Sequence, residues 1–107
     1  MKTTTVHLDK PRAIVKPSIH LNGSSPDHLI EELLDASSAV SNAIEAVCKA
    51  SPNARDYYPL GADAWTRAET EHRDRIAALV RVRDELGELF EHVHEEREKR
   101  LARRRVP

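Results

Sequence analysis

From Gly61 until Pro107 the chain contains no proline, and along that span Trp65, Ala68, His72, Ile76, Leu79, Val82, Leu86, Leu89, Phe90 and Val93 return mostly at intervals of three or four. An unbroken period of this length admits one long helix and little else. It predicts a helix over about residues 62–96, continued by a basic helical extension or tail over 97–107. The apolar set is broader than a strict coiled-coil seam, so it reads as a globular contact face. Gly87 is the weak position, costing ~1 kcal/mol relative to alanine.

A long amphipathic helix needs a neighbour, and the preceding segment supplies one. In "SSPDH", Ser25 reads as an N-cap, Pro26 takes the first helical position, and Asp27 sits where a negative charge favours the helix dipole. Leu29, Leu33, Ala36, Val40, Ala43, Val47 and Ala50 then form one stripe, and Pro52 ends the helix at or before Ser51. The expected fold is all-α: a long antiparallel helical hairpin with helices over about 26–51 and 62–96, a turn at 52–61, and an extended N-terminal arm over 1–25. Residues 26–50 would span ~38 Å, while a second helix reaching about residue 102 would span ~60 Å. The overhang is expected to carry Phe90 and Val93, which would need cover from another chain. Assembly into a homo-oligomeric helical bundle follows, a dimeric four-helix bundle being simplest and a larger ring fitting equally well.

Composition supports that need. A chain of 107 residues with 4% aromatic and 33% charged content is one domain with little material for a core. The single Cys48 excludes an intramolecular disulfide and points to a reducing, cytoplasmic compartment. No apolar run approaches the roughly 18 residues that span a bilayer, and "MKTTTVHLDKPRAIV" has no stretch of signal-peptide character. No membrane partner is expected.

Charge is segregated. Lys2, Lys10, Arg12 and Lys16 face Asp9 alone in the first 22 residues, and "REKRLARRR" sets six basic residues against Glu98. Between the ends, residues 26–50 hold Asp27, Glu31, Glu32, Asp35 and Glu45 against Lys49, which leaves no uniform nucleic-acid face there. The tail could engage phosphates non-specifically. Glu95, Glu96 and Glu98, however, are spaced to pair with its cations, so a solvated helix end is the favoured reading.

The arm, "RAIVKPSIHLNGSS", is β-branched and broken by Pro17, and it turns at Asn-Gly-Ser into the first helix. Ile14, Val15, Ile19 and Leu21 read as packing residues, in an arm lying along the bundle or exchanged between protomers.

Two of the four aromatic residues stand together in "SPNARDYYP". One reading makes Asn53, Asp56 and Pro59 turn formers, with the tyrosines capping the open end of a bundle. The other makes a ligand site: Arg55 offers a fork for phosphate or carboxylate, Tyr57 or Tyr58 a face for a base, and Asn53 and Asp56 polar edges. His20 and Asn22 of the arm, from the same or another chain, would complete it.

Metal and catalytic chemistry find less support. Glu69/His72 and Glu91/His94 repeat the Glu-x-x-His spacing of carboxylate-bridged di-metal bundles, but the stripe expected opposite them is Leu, Ala and Val. His72 is read as an interface histidine, and His92 and His94 as solvated. Cys48 has no defined histidine partner, and Ser37, Ser38 and Ser41 lie within a helix. No catalytic residue, metal or cofactor is assigned, and the protein is expected not to be an enzyme.

"IHLNGSS" leading into an Ala-rich helix, then "NARDYYP" and a second helix carrying "EH" before a leucine stripe, resembles a group of small proteins encoded by tailed phages and prophages, over roughly residues 19–95. The resemblance implies a viral accessory protein in an infected or lysogenic bacterial host and fixes no activity. In size and hairpin architecture the chain is also similar to phage anti-defence proteins that sequester nucleotide immune signals. The function expected is therefore non-catalytic sequestration of a nucleotide-derived signal. The alternatives are a helical module that occludes a host or phage protein, and a DNA-associated accessory using the basic tail.

Overall fold

The computed structural model describes residues 13–105. Lys2, Asp9, Lys10 and Arg12 of the arm, and Val106 and Pro107 of the tail, lie outside the described residues. Two helices, α1 (Pro26–Lys49) and α2 (Ala62–Arg105), are joined through short 3-10 turns at Ala54–Asp56 and Tyr58–Leu60. The described residues contain no strand. The hairpin is elongated, 73 × 29 × 20 Å.

Local chemistry fixes the helix ends. Ser25 Oγ accepts from the His28 N–H at 3.1 Å, with Pro26 and Asp27 in the first turn as the sequence predicts. At the far end the Ala50 N–H turns back to the Val47 carbonyl at 3.0 Å, and the Ser51 hydroxyl donates to the Cys48 carbonyl at 2.7 Å. With those carbonyls satisfied and Pro52 following, α1 stops at Lys49, slightly short of the expected boundary. Gly61 ends the turn segment at φ 114°, a conformation a side chain would strain, and frees the chain to start α2 at Ala62. The basic extension is part of α2, which runs unbroken to Arg105.

The helices are antiparallel. Arg97 Nε donates to Asp27 Oδ1 at 2.6 Å near one end, and His72 bonds the Val47 carbonyl at 2.7 Å near the other. α2 therefore outruns α1 at both ends, by residues 62–71 and by residues 98–105. This corrects the expectation that Phe90 and Val93 would overhang. Both lie alongside α1, and Val93, at 0% exposure, is the most enclosed side chain in the described chain. The reason lies in the connection: residues 50–61 fold back over the first turns of α2, which slides α1 toward the C-terminal half.

The arm runs along α2 in the same direction as that helix. Lys16 Nζ lies 3.4 Å from Glu88 Oε2, His92 Nε2 donates to the Pro17 carbonyl at 2.7 Å, and Arg100 reaches the Ile19 carbonyl at 3.4 Å. His92 is thus half-buried and bonded, a correction to its expected solvation; the carbonyl of a proline-broken arm has no backbone partner of its own and recruits the imidazole N–H. Ile14, Pro17 and Ile19 are half-buried, whereas Val15 and Leu21 are exposed. Replacing His92 with alanine should loosen the arm, speeding limited proteolysis within residues 14–21 about fivefold for the roughly 1 kcal/mol of one lost hydrogen bond. Unchanged cleavage would show that His92 does not anchor it.

At about 100° per residue the hairpin has two distinct faces. His92 and Glu88, which hold the arm, sit on one. Asp27 and Arg97, bonded across the helices, mark the opposite one. Heptad steps from Asp27 reach Leu34, Ser41 and Cys48, and heptad steps back from Arg97 reach Phe90, Arg83 and Ile76. That second face carries no covering segment among the described residues, and Leu34 there is 50% exposed.

Candidate functional site

The turn end of the hairpin is built by residues 50–64. Asn53 Oδ1 accepts from the Arg55 N–H at 3.1 Å, which starts the first 3-10 turn, and the Tyr57 N–H closes it on the Ala54 carbonyl at 3.0 Å. The Leu60 N–H donates to the Tyr57 carbonyl at 2.9 Å and the Gly61 N–H to the Tyr58 carbonyl at 3.1 Å. Successive turns of opposite aim split the two tyrosines. Tyr57 is half-buried against α2, while Tyr58 is 71% exposed.

Tyr57 lines an open depression of about 280 Å³ together with Leu60, Ala64, Arg67, Ala68 and Glu71. The cation sharing a concavity with a tyrosine is therefore Arg67, not Arg55. Arg55 and Tyr58 stand out in solvent beside it, as does Asp56, and Asn53 uses its amide oxygen as a helix cap. Sequence reasoning missed Arg67 because it is one charge among many on a helix; only the inward turn of Tyr57 distinguishes it.

His20 and Asn22 are exposed at the other end of the molecule. The Gly23 N–H closes their turn on the His20 carbonyl at 3.1 Å, and the His20 ring lies so near that a Cβ on Gly23 would meet it at 3.0 Å. α1, about 36 Å long, separates this turn from residues 53–58. One chain does not bring the two groups together.

His72 is buried at the helix interface. A carbonyl only accepts, so Nε2–H donates to Val47, and Nδ1 accepts from the Arg75 guanidinium at 3.4 Å. Both nitrogens are engaged in tying α2 to the end of α1. His94 is exposed and stacks on Phe90, ring centroids 5.8 Å apart. No group of three or more histidine, cysteine or carboxylate side chains is placed to hold a metal among the described residues. Cys48 is exposed.

At the tail end, Pro26, Asp27, Arg97, Arg100, Leu101 and Arg104 line a second depression of about 170 Å³. Its charge is partly neutralised: Arg97 lies 2.6 Å from Asp27 and 3.1 Å from Glu98. No described helix is long and apolar enough to cross a membrane. No family of known proteins, no curated protein and no solved structure matches the chain.

Proposed function

We propose that this is a non-catalytic binding protein of the phage-accessory kind, self-associating through the hairpin, that holds a nucleotide-derived anionic ligand at its turn end in the cytoplasm of a bacterial host. The observation that carries the reading is the depression in which Tyr57, Arg67 and Glu71 meet over Leu60, Ala64 and Ala68. Arg67 offers a fork for phosphate, the tyrosine a face for a base, and the Glu71 carboxylate an acceptor for ring N–H groups. Arg55 and Tyr58, exposed on the adjoining turn, are free to close over a bound molecule. Such an arrangement binds and returns its ligand unchanged.

A second reading is favoured by a different observation. Tyr58 and Leu60 are 71% and 73% exposed side by side at this end, an apolar tip suited to occluding another protein. A thermal-shift panel of linear and cyclic nucleotides and dinucleotides separates the two. Ligand at a hundredfold over Kd stabilises by about 2.7 kcal/mol, on the order of 10 °C for a chain this size. The expected hit is lost in Arg67→Ala, which sits on an exposed helix position and leaves the fold intact, and weakened in Arg55→Ala. A panel without a hit would overturn the ligand reading in favour of occlusion. Binding confined to nucleic acid and falling steeply with salt would favour the basic tail instead.

A further inference from the structure

We infer that the open face of the hairpin is closed by a second copy of the same chain, with α1 of each copy lying across α2 of the other and each Leu34 seated over the partner copy's glycine at position 87. The inference rests on the self-association reading above and gives it an interface; it does not depend on the ligand at the turn end.

Gly87 is the first ground. It lies in the interior of α2 with ordinary helical backbone, and a Cβ built on it would meet nothing within 4 Å. Glycine is unfavourable in a helix interior, and nothing within the chain requires it here. It sits on the open face, one turn before Phe90 and one heptad before His94. The contacts Asp27–Arg97 and Val47–His72 bracket the register and place Leu34 nearly level with Gly87 on the other helix. A half-exposed leucine and a hole of matching height, both on one face, are complementary only between two chains, because within one chain both point outward.

Charge sets the orientation. On the open face α1 carries the carboxylates Asp27 and Glu45, whereas α2 carries Arg73 and Arg83 interleaved with Glu69, Glu91 and Glu98. Laying α1 on α1 would oppose carboxylates. A two-fold axis parallel to the helices instead lays α1 on α2 and brings Glu45 level with Arg73 of the other copy. Ser37 and Ser41 flank the contact on α1, small enough for close helix approach.

The opposite face offers less, being mostly alanine (Ala36, Ala39, Ala43, Ala46) and partly spanned by the arm. The same axis places both 53–60 turns at one end of the bundle and both His20 turns at the other.

The test uses the full chain. Light scattering at about 10–100 µM should give twice the chain mass; a monomer would overturn self-association itself. In a Cys48→Ser background, the double variant Leu34→Cys/Gly87→Cys should form a covalent dimer on mild oxidation. It cannot close within one chain, because the two positions lie on neighbouring helices about 8–10 Å apart, beyond disulfide reach. Dimer mass without that crosslink, or efficient crosslinking by either single-cysteine chain, would leave self-association standing and overturn this interface. Gly87→Ala reads the hole directly. Helix propensity alone would raise Tm by several degrees; we expect at least tenfold weaker dimerisation, and an unchanged dimer with raised Tm would remove Gly87 from the interface.

Discussion

Val93→Asp should leave no cooperatively folded hairpin. Val93 is fully enclosed, at the level where arm, α1 and α2 meet between the His92–Pro17 and Arg97–Asp27 contacts. A carboxylate there is cut off from water, while the nearest cation on its own helix, Arg97, is already held by Asp27; burying it costs several kcal/mol, comparable to the whole stability of a domain this small. Only Ala68, Val93 and His72 are buried among the described residues, so no second core compensates. Circular dichroism should show the 222 nm signal lost or greatly reduced at 25 °C. Val93→Ala is the graded companion: it removes about two methylene equivalents and leaves a small cavity, roughly 2 kcal/mol, lowering Tm by about 10 °C. If Val93→Asp melted like the wild type, the antiparallel register would be misplaced.

That register is where sequence reasoning stopped. Caps and breakers are local, so Ser25, Pro26 and Pro52 set the bounds of α1 directly, and the three-four period of α2 needed no tertiary information. Which residues of the two helices stand level depends on the path of the chain from Ala50 to Gly61, and that path depends on two 3-10 turns and the positive φ of Gly61. Nothing in the apolar spacing encodes it. The arm is similar: His92 finds a carbonyl 75 positions away, a contact no local pattern announces. At the turn end the residue types were legible in "NARDYYP", but their grouping was not, because adjacent residues on a tight turn point apart and the useful cation came from α2. A second row on α1, the apolar Ile30, Leu34 and Ile44 with the small Ser37 and Ser41 between them, was present as an i, i+4, i+7 pattern beside the main stripe. It became meaningful once the Asp27–Arg97 bond showed that this row and Phe90 share a face.

Phe90→Asp should halve the particle mass while keeping the helices. Phe90 is half-buried within its own chain and stacked on His94, so a monomer loses only part of its contact area when the ring is removed. In the dimer we propose, the same position would be sealed by the other chain, and a carboxylate there would be desolvated without a partner. That difference is a penalty of several kcal/mol borne by each copy, enough to move dissociation by three or more powers of ten. Light scattering at about 10 µM should report a monomer, with the circular dichroism signal reduced modestly and Tm no longer rising with protein concentration. Val82→Asp is the matched control. Val82 is 44% exposed and stands about 80° round α2 from Phe90 and about 140° from Gly87, off the open face, so a new carboxylate there stays hydrated and the dimer should persist. The two variants add the same charge to the same helix eight residues apart, so net charge and helix propensity cancel in the comparison and only the face differs. A dimer in both would place the interface elsewhere; a monomer in both would mean that added charge alone, and not the Phe90 face, separates the chains.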